Sequence, residues 1–232
     1  MGLALLPFFE HFKRDIPHRL AAVKMLEDSI PEELLQDDAA WIEAWKASGI
    51  DQEIWLPHYF RQFDLPHGAR MCFTSAAATV AAFYRVVKSQ ESYARQREKF
   101  GDTSSVAAHI ETLKSLGLKV TFTQSANIND VYKAVDANIP VMLGWHHNGP
   151  IEAPSCSSAS CGHWSVAHGY SGRYSNDPSL TMTDPAGVPD LKNGSHNQAL
   201  SGYRINVRVA EFLPRWQIEG PGSGWAIFVE KL

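Results

Sequence analysis

Cysteine is scarce in this 232-residue chain, which holds only Cys72, Cys156 and Cys161. Three thiols permit one disulfide and leave one sulfur free. Long apolar runs are missing as well: no stretch approaches the roughly 20 residues that span a bilayer, so no membrane span is expected. Charge of one sign is lacking too. A formal net charge of −4 gives no reason to expect nucleic acid or an anionic membrane surface as a partner. No repeat of fixed period and no low-complexity tract is present. The first residues, Met1-Gly2-Leu3-Ala4-Leu5-Leu6-Pro7, are apolar but have no basic front and no small-residue cleavage site. They do not read as a signal peptide, so synthesis is expected in the cytoplasm, and any export needs another route.

What remains is an ordinary globular composition. Hydrophobic residues make up 44% and charged residues 20%, which argues against disorder. The length suffices to bury a core, as one domain or one domain with an appendage. Residues 8–48 carry apolar side chains at spacings of three and four, including Phe8, Phe12, Leu20, Val23 and Leu26, the pattern of amphipathic helices. We therefore expect a helical N-terminal extension over 1–50 and the main domain over 51–232. After a loop with Pro57, Pro66 and Gly68, an alanine-rich helix is predicted from Cys72 to about Val87, buried on most sides. Further helices are expected over Thr103–Leu116 and Asn129–Ala137, with strands at Leu118–Phe122 and Ile139–Gly144. From Gly162 onward strand and turn signals dominate, with strands at Trp164–Tyr170, Leu180–Thr183, Tyr203–Val209 and Trp225–Val229. Helices first and consecutive strands afterwards is an α+β order.

Chemistry concentrates on three positions. Cys72 falls where a loop turns into a helix, and the unpaired N–H groups and dipole of a helix N-terminus stabilise negative charge on sulfur. The bland alternative is a buried structural cysteine, which would sit more naturally in mid-helix. His163 follows Gly162 and opens a strand, a place from which an imidazole can face a cleft. Asp184 ends the next strand, and in a hairpin the open ends would bring it beside His163. A carboxylate there orients the ring through one nitrogen and leaves the other for a thiol. Taken singly, His163 reads equally as a structural histidine and Asp184 as a turn residue before Pro185.

The segments Tyr59-Phe60-Arg61-Gln62, Cys72-Phe73-Thr74-Ser75-Ala76, Ile139-Pro140-Val141, Gly162-His163-Trp164-Ser165-Val166 with Gly169-Tyr170, and Asp184-Pro185 occur in that order. In this order they resemble the bacteriocin-processing-type group of papain-like cysteine peptidases. More narrowly, the chain is similar to versions carried by bacteriophages as cell-wall or virion-associated enzymes. The later Gly202-Tyr203, Trp216, Gly220 and Gly224-Trp225 resemble the closing part of those proteins. The resemblance covers roughly residues 55–232. It implies a papain-like α+β fold, Cys72 as nucleophile, His163 as base, Asp184 as orienting carboxylate and Gln62 as oxyanion donor. Where many relatives have Gly-Pro after the cysteine, this chain has Phe73-Thr74.

The implied substrate is a peptide, either the stem or cross-link peptides of peptidoglycan or a leader peptide ending in paired glycines. Virion tail proteins are the implied partners, and the bacterial cell wall or the virion the implied place of action. An alternative from another class is a catalytically weak or inactive virion structural or cell-wall-binding module on the same scaffold, in which exposed Trp145 and Trp164 would stack on ligand. No cofactor is called for. His146, His147, His168 and Cys161 match no compact zinc pattern, and His163 and His168 point to opposite faces of one strand, so no metal is expected. Cys156 and Cys161 enclose a short loop of small residues. A disulfide is feasible there and would leave Cys72 as the free thiol; two reduced surface cysteines are the alternative.

Overall fold

In this computed structural model residues 52–154 and 162–232 are described. The helical extension expected at 1–50 and the Cys156–Cys161 loop therefore lie outside the described residues. Gln52–Ser171 and Asp177–Leu232 form one compact unit. The Gly172–Asn176 turn is grouped apart from it; it is closed by the Ser175 amide and hydroxyl, both donating to the Gly172 carbonyl at 2.8 and 2.7 Å.

The described elements are, in chain order, β1 (Gln52–Glu53), α1 (Cys72–Phe83), α2 (Gln90–Arg97), α3 (Val106–Ser115), β2 (Leu118–Ala126), α4 (Ile128–Asp136), β3 (Val141–His146), β4 (Gly162–Ser171), β5 (Ser179–Thr183), β6 (Val188–Asp190), β7 (Ser195–Asn197), β8 (Ile205–Arg208), α5 (Val209–Trp216) and β9 (Gly224–Lys231). The main sheet runs β2-β9-β3-β4-β5-β8, and its pairings are antiparallel. β1 adds to β4 at Gly169 and Tyr170, beyond the residues that β3 covers. β6 and β7 form a separate small hairpin. This is the α+β, papain-like arrangement: a helix beginning with a cysteine, packed on an antiparallel sheet.

α1 is buried from Phe73 to Ala82. Its alanines let the helix backbone approach β4 closely, where larger side chains would hold the two apart. Its first turn is fixed from two sides. Phe73 stacks between His109 of α3 and Trp164 of β4, with ring centroids 3.8 and 4.0 Å away. The Trp164 ring in turn lies over Gly144, where a Cβ would sit 2.9 Å from the indole. Phe73 is thus an anchor for the N-terminus of α1. Thr74 is held by Thr103 (2.7 Å) and Ser75 by the Met71 carbonyl (2.8 Å).

The other helices start and stop by local chemistry. Ser105 caps α3 by accepting the Ala108 amide at 3.2 Å, and Gly117, at φ +82°, ends it. Asn127 and Asp130 make a reciprocal capping box at α4, whose Val131, Tyr132, Ala134 and Val135 are buried. The strands expected from alternation occur with shifted ends, and Tyr203 precedes its strand. The sequence reading did not find α2, α5 or the β6–β7 hairpin.

Candidate active site

β3 and β4 pair so that Trp145 stands opposite His163 and Leu143 opposite Ser165. Side chains directly opposite in an antiparallel pair share a face. Trp145, His163 and Ser165 therefore line one side of the sheet. Asp184 follows β5, whose Thr183 pairs with Val166, which carries the next residue back beside Ser165. Strands β3, β4 and β5 thus bring together four residues, Trp145, His163, Ser165 and Asp184, that the sequence spreads over forty positions.

Asp184 is buried, at 1% exposure, yet its carboxylate is fully occupied. Oδ2 accepts the Ser165 hydroxyl at 2.7 Å and His196 Nε2 at 3.3 Å; Oδ1 accepts the Ala186 amide at 2.8 Å. His163 Nε2 lies 2.9 Å from both oxygens. Ser165 is oriented by the Trp145 indole N–H, which donates to its oxygen at 2.9 Å. Burial alone would raise the carboxyl pKa, but the charge and hydrogen bond of His163, assisted by His196, hold it well below the usual range. Asp184 is an anion at neutral pH.

His163 is 2% exposed. Burial by itself would push its pKa down. The Asp184 charge and hydrogen bond more than offset this, and a hydrogen bond and charge from Cys72 add to them, so that it rises to about 10. With Nε2 turned to Asp184, the opposite nitrogen, Nδ1, is left for Cys72. Cys72 is a half-buried free thiol at the first residue of α1. A protonated imidazole and a thiol thus meet at a helix N-terminus.

Gln62 opens a short 3-10 turn and is 5% exposed. Its backbone N–H donates to the Pro185 carbonyl at 3.0 Å, which ties it to the segment after Asp184. The Oε1 of its side chain is buried with no hydrogen-bond partner, so the carbonyl end of the side-chain amide is unsatisfied by the protein itself. The Tyr59 hydroxyl donates to the Asp184 carbonyl at 3.0 Å and accepts the Gly202 amide at 3.2 Å, while Gly202 accepts the Asp184 amide at 2.8 Å. A Cβ on Gly202 would strike the Asp184 carbonyl oxygen. The Tyr59 and Gly202-Tyr203 segments therefore meet at the backbone of Asp184.

Several contributors escaped sequence reading. Ser165 carried a signal, since it lies two residues beyond His163 on an alternating strand. His196 carried none, being one histidine in a polar hairpin. Arg215 is fully buried and donates to four carbonyls: Leu191 (2.6 Å), His146 (3.1 Å), Asn148 (3.3 Å) and Gly149 (2.6 Å). It joins the loop after β3 to the turn of the β6–β7 hairpin. Trp145 and Trp164, expected to be exposed if the chain were a binding module, are 3% and 8% exposed. Phe212 of α5 covers the first and Phe73 the second. Both are core residues, and neither is available to stack on a ligand.

A buried Asp–His pair against a helix-terminal cysteine, on an antiparallel sheet, defines a papain-like cysteine peptidase. The chain belongs to the Peptidase_C39 like family, whose model matches residues 57–211, and it is a cysteine peptidase. Among solved structures it is similar to a putative C39-like peptidase from Bacillus anthracis, at 15% identity and TM-score 0.52 over 78% of this chain and 98% of that one. It is also similar to the peptidase domain of Streptococcus ComA, a bi-functional ABC transporter involved in quorum sensing, at 19% identity and TM-score 0.47 over 75% and 100%. A double glycine motif protease from an AMS/PCAT transporter, solved with its leader peptide, matches at 12% identity and TM-score 0.44 over 78% and 95%. No curated protein matches this chain.

Proposed function

We propose that the protein hydrolyses peptide bonds with Cys72 as nucleophile, His163 as acid and base, Asp184 as orienting carboxylate and Gln62 as oxyanion donor. One observation carries this reading: a single buried imidazole is held between Asp184 on Nε2 and the Cys72 thiol. The thiolate attacks the carbonyl carbon of the substrate, and the oxyanion that forms is held by the Cys72 backbone N–H and the Gln62 amide. His163 gives its proton to the departing amine, the C–N bond breaks, and a thioester remains on Cys72. The now neutral His163 takes a proton from water. The hydroxide adds to the thioester, the C–S bond breaks, and the acid product leaves the regenerated thiolate–imidazolium pair.

The substrate reading is peptidoglycan stem or cross-link peptides, with action at the bacterial cell wall as a virion-associated enzyme. Its support is the resemblance of the motif order to phage-borne members. Purified protein is to be incubated in parallel with peptidoglycan and with synthetic leader peptides ending in paired glycines, and the fragments identified by mass. Release of muropeptide fragments is expected, and Cys72→Ala should release none. Cleavage confined to the leader peptides would replace the cell-wall reading with leader processing. Cleavage of neither would leave the binding-module reading.

A further inference from the structure

Beside the catalytic pair the fold assembles three imidazoles that the proposed reaction does not need together. His147, His163 and His196 each offer one ligand atom, and these atoms lie within 4.8 Å of one another. The ring centroids are 5.2 Å apart for His147–His163, 5.4 Å for His147–His196 and 4.5 Å for His163–His196. Trp145 packs against all three rings. From this cluster we propose that the protein binds a borderline transition-metal cation, Zn2+ in the first instance, through His147, His163 and His196, and that the bound ion switches the peptidase off.

The geometry is close to what such an ion requires. Three donors no more than 4.8 Å apart lie at most about 2.8 Å from their common centre, and Zn–N bonds are about 2.0–2.1 Å. Each donor must therefore move inward by at most roughly 0.7 Å, a change within the reach of small χ rotations. Neutral imidazoles suit zinc, copper and nickel and do not suit magnesium or calcium. Asp184, which touches both His163 and His196, supplies the negative charge that three imidazoles lack.

The scaffold around the cluster is rigid where it matters. His147 sits on the loop after β3, and His196 on β7 of the small hairpin. Arg215 ties these two segments together through its four carbonyl contacts. The Ile151 amide donates to the Lys192 carbonyl at 2.9 Å, and a Cβ at Gly194 (φ +80°) would collide with the backbone of Asn148 and Gly149. The two outer ligands are thus presented to His163 from backbones already fixed against each other. A cation here binds in exchange for the proton that His163 carries at neutral pH, which passes to solvent, and takes the lone pair so freed; His163 can then neither accept nor donate a proton while the ion is bound. The inhibitory part rests on the proposed triad; the binding part does not.

The test uses the full chain, freed of metal by chelator and titrated with Zn2+ by calorimetry. Co2+ absorption spectra report the ligand geometry independently. Wild type is expected to bind one ion, and Cys72→Ser to bind within about threefold of it. His147→Asn and His196→Asn should each weaken binding at least tenfold, with far-UV spectra and melting curves showing that both variants are folded. Peptide hydrolysis should fall with the same Zn2+ dependence as binding and return on adding chelator. In His147→Asn, the Zn2+ concentration that halves the variant's own metal-free rate should rise at least tenfold. Loss of binding in Cys72→Ser, with none in the two histidine variants, would place the ion on the Cys72–His163 pair alone and overturn the proposal. Absence of binding in wild type would overturn it as well. A chain that binds Zn2+ as described but cleaves no peptide would sink the proposed function and leave the metal site standing.

Discussion

Asp184 makes opposite demands on its surroundings and its partner. A carboxylate at 1% exposure is tolerated only because every oxygen has donors, and one of those donors is the imidazole whose charge it sustains. Asp184→Asn removes that charge while keeping the shape. Burial then dominates at His163, whose pKa should fall from about 10. The alkaline limb of kcat/KM, which reports loss of the His163 proton, should move to lower pH, and the rate at neutral pH should fall about 10³–10⁴-fold. An unmoved alkaline limb would show that another group sets it. Gln62→Ala should lower kcat by about 10²-fold without loss of fold, read from steady-state rates beside a melting curve. The positions that meet at the site are legible in the sequence to different degrees. Cys72, His163 and Asp184 were readable because each sits at an element boundary, where spacing and local punctuation are informative. Ser165, His196 and Arg215 were not, because their meaning lies in what they touch across the sheet and the hairpin.

At the scale of elements, the strands are legible from alternation and turn signals, and the Cys72 helix from its run of alanines after a loop rich in proline and glycine. α2 failed to register because Gln90–Arg97 offers only Tyr93 and Ala94 as apolar residues. Tertiary bonds carry it: the Gln90 amide reaches Ser75 at 2.5 Å, and Tyr93 bonds the His109 ring at 2.9 Å. The expected strand Tyr203–Val209 takes in only the first residue of α5, and the rest of that helix goes unread because it is short and Pro214 interrupts the helical pattern. Yet α5 carries Arg215, which closes the loop that follows β3. Arg215→Leu leaves four carbonyls without their donor, and each buried loss costs about 1–3 kcal/mol. Partial rehydration reduces the sum, and a loss of at least about 3 kcal/mol is expected from urea unfolding. The variant should also lose Zn2+ affinity. Full stability in Arg215→Leu would show that the loop holds itself.

For the whole molecule, the His163–Asp184 pair links stability to pH on both flanks. The Asp184 pKa is depressed in the fold, so its contribution is present above the unfolded carboxyl pKa and fades as pH falls below it. The His163 pKa is raised to about 10, so its contribution is complete below the unfolded value near 6.5 and fades as pH rises through 10. The melting-temperature gap between wild type and His163→Gln should therefore be widest between about pH 5 and 6.5 and narrow toward pH 10. A gap independent of pH would mean that the pair is not ionised. No described helix is long and apolar enough to cross a membrane.

The central claim, that His163 activates Cys72, is tested most directly by the rate at which iodoacetamide alkylates Cys72 at pH 7, resolved by mass spectrometry of the peptide that contains it. In wild type Cys72 should react at least tenfold faster than in His163→Ala, because the imidazolium that sustains the thiolate is gone. Equal rates in the two proteins, at the level of an ordinary exposed thiol, would contradict the account.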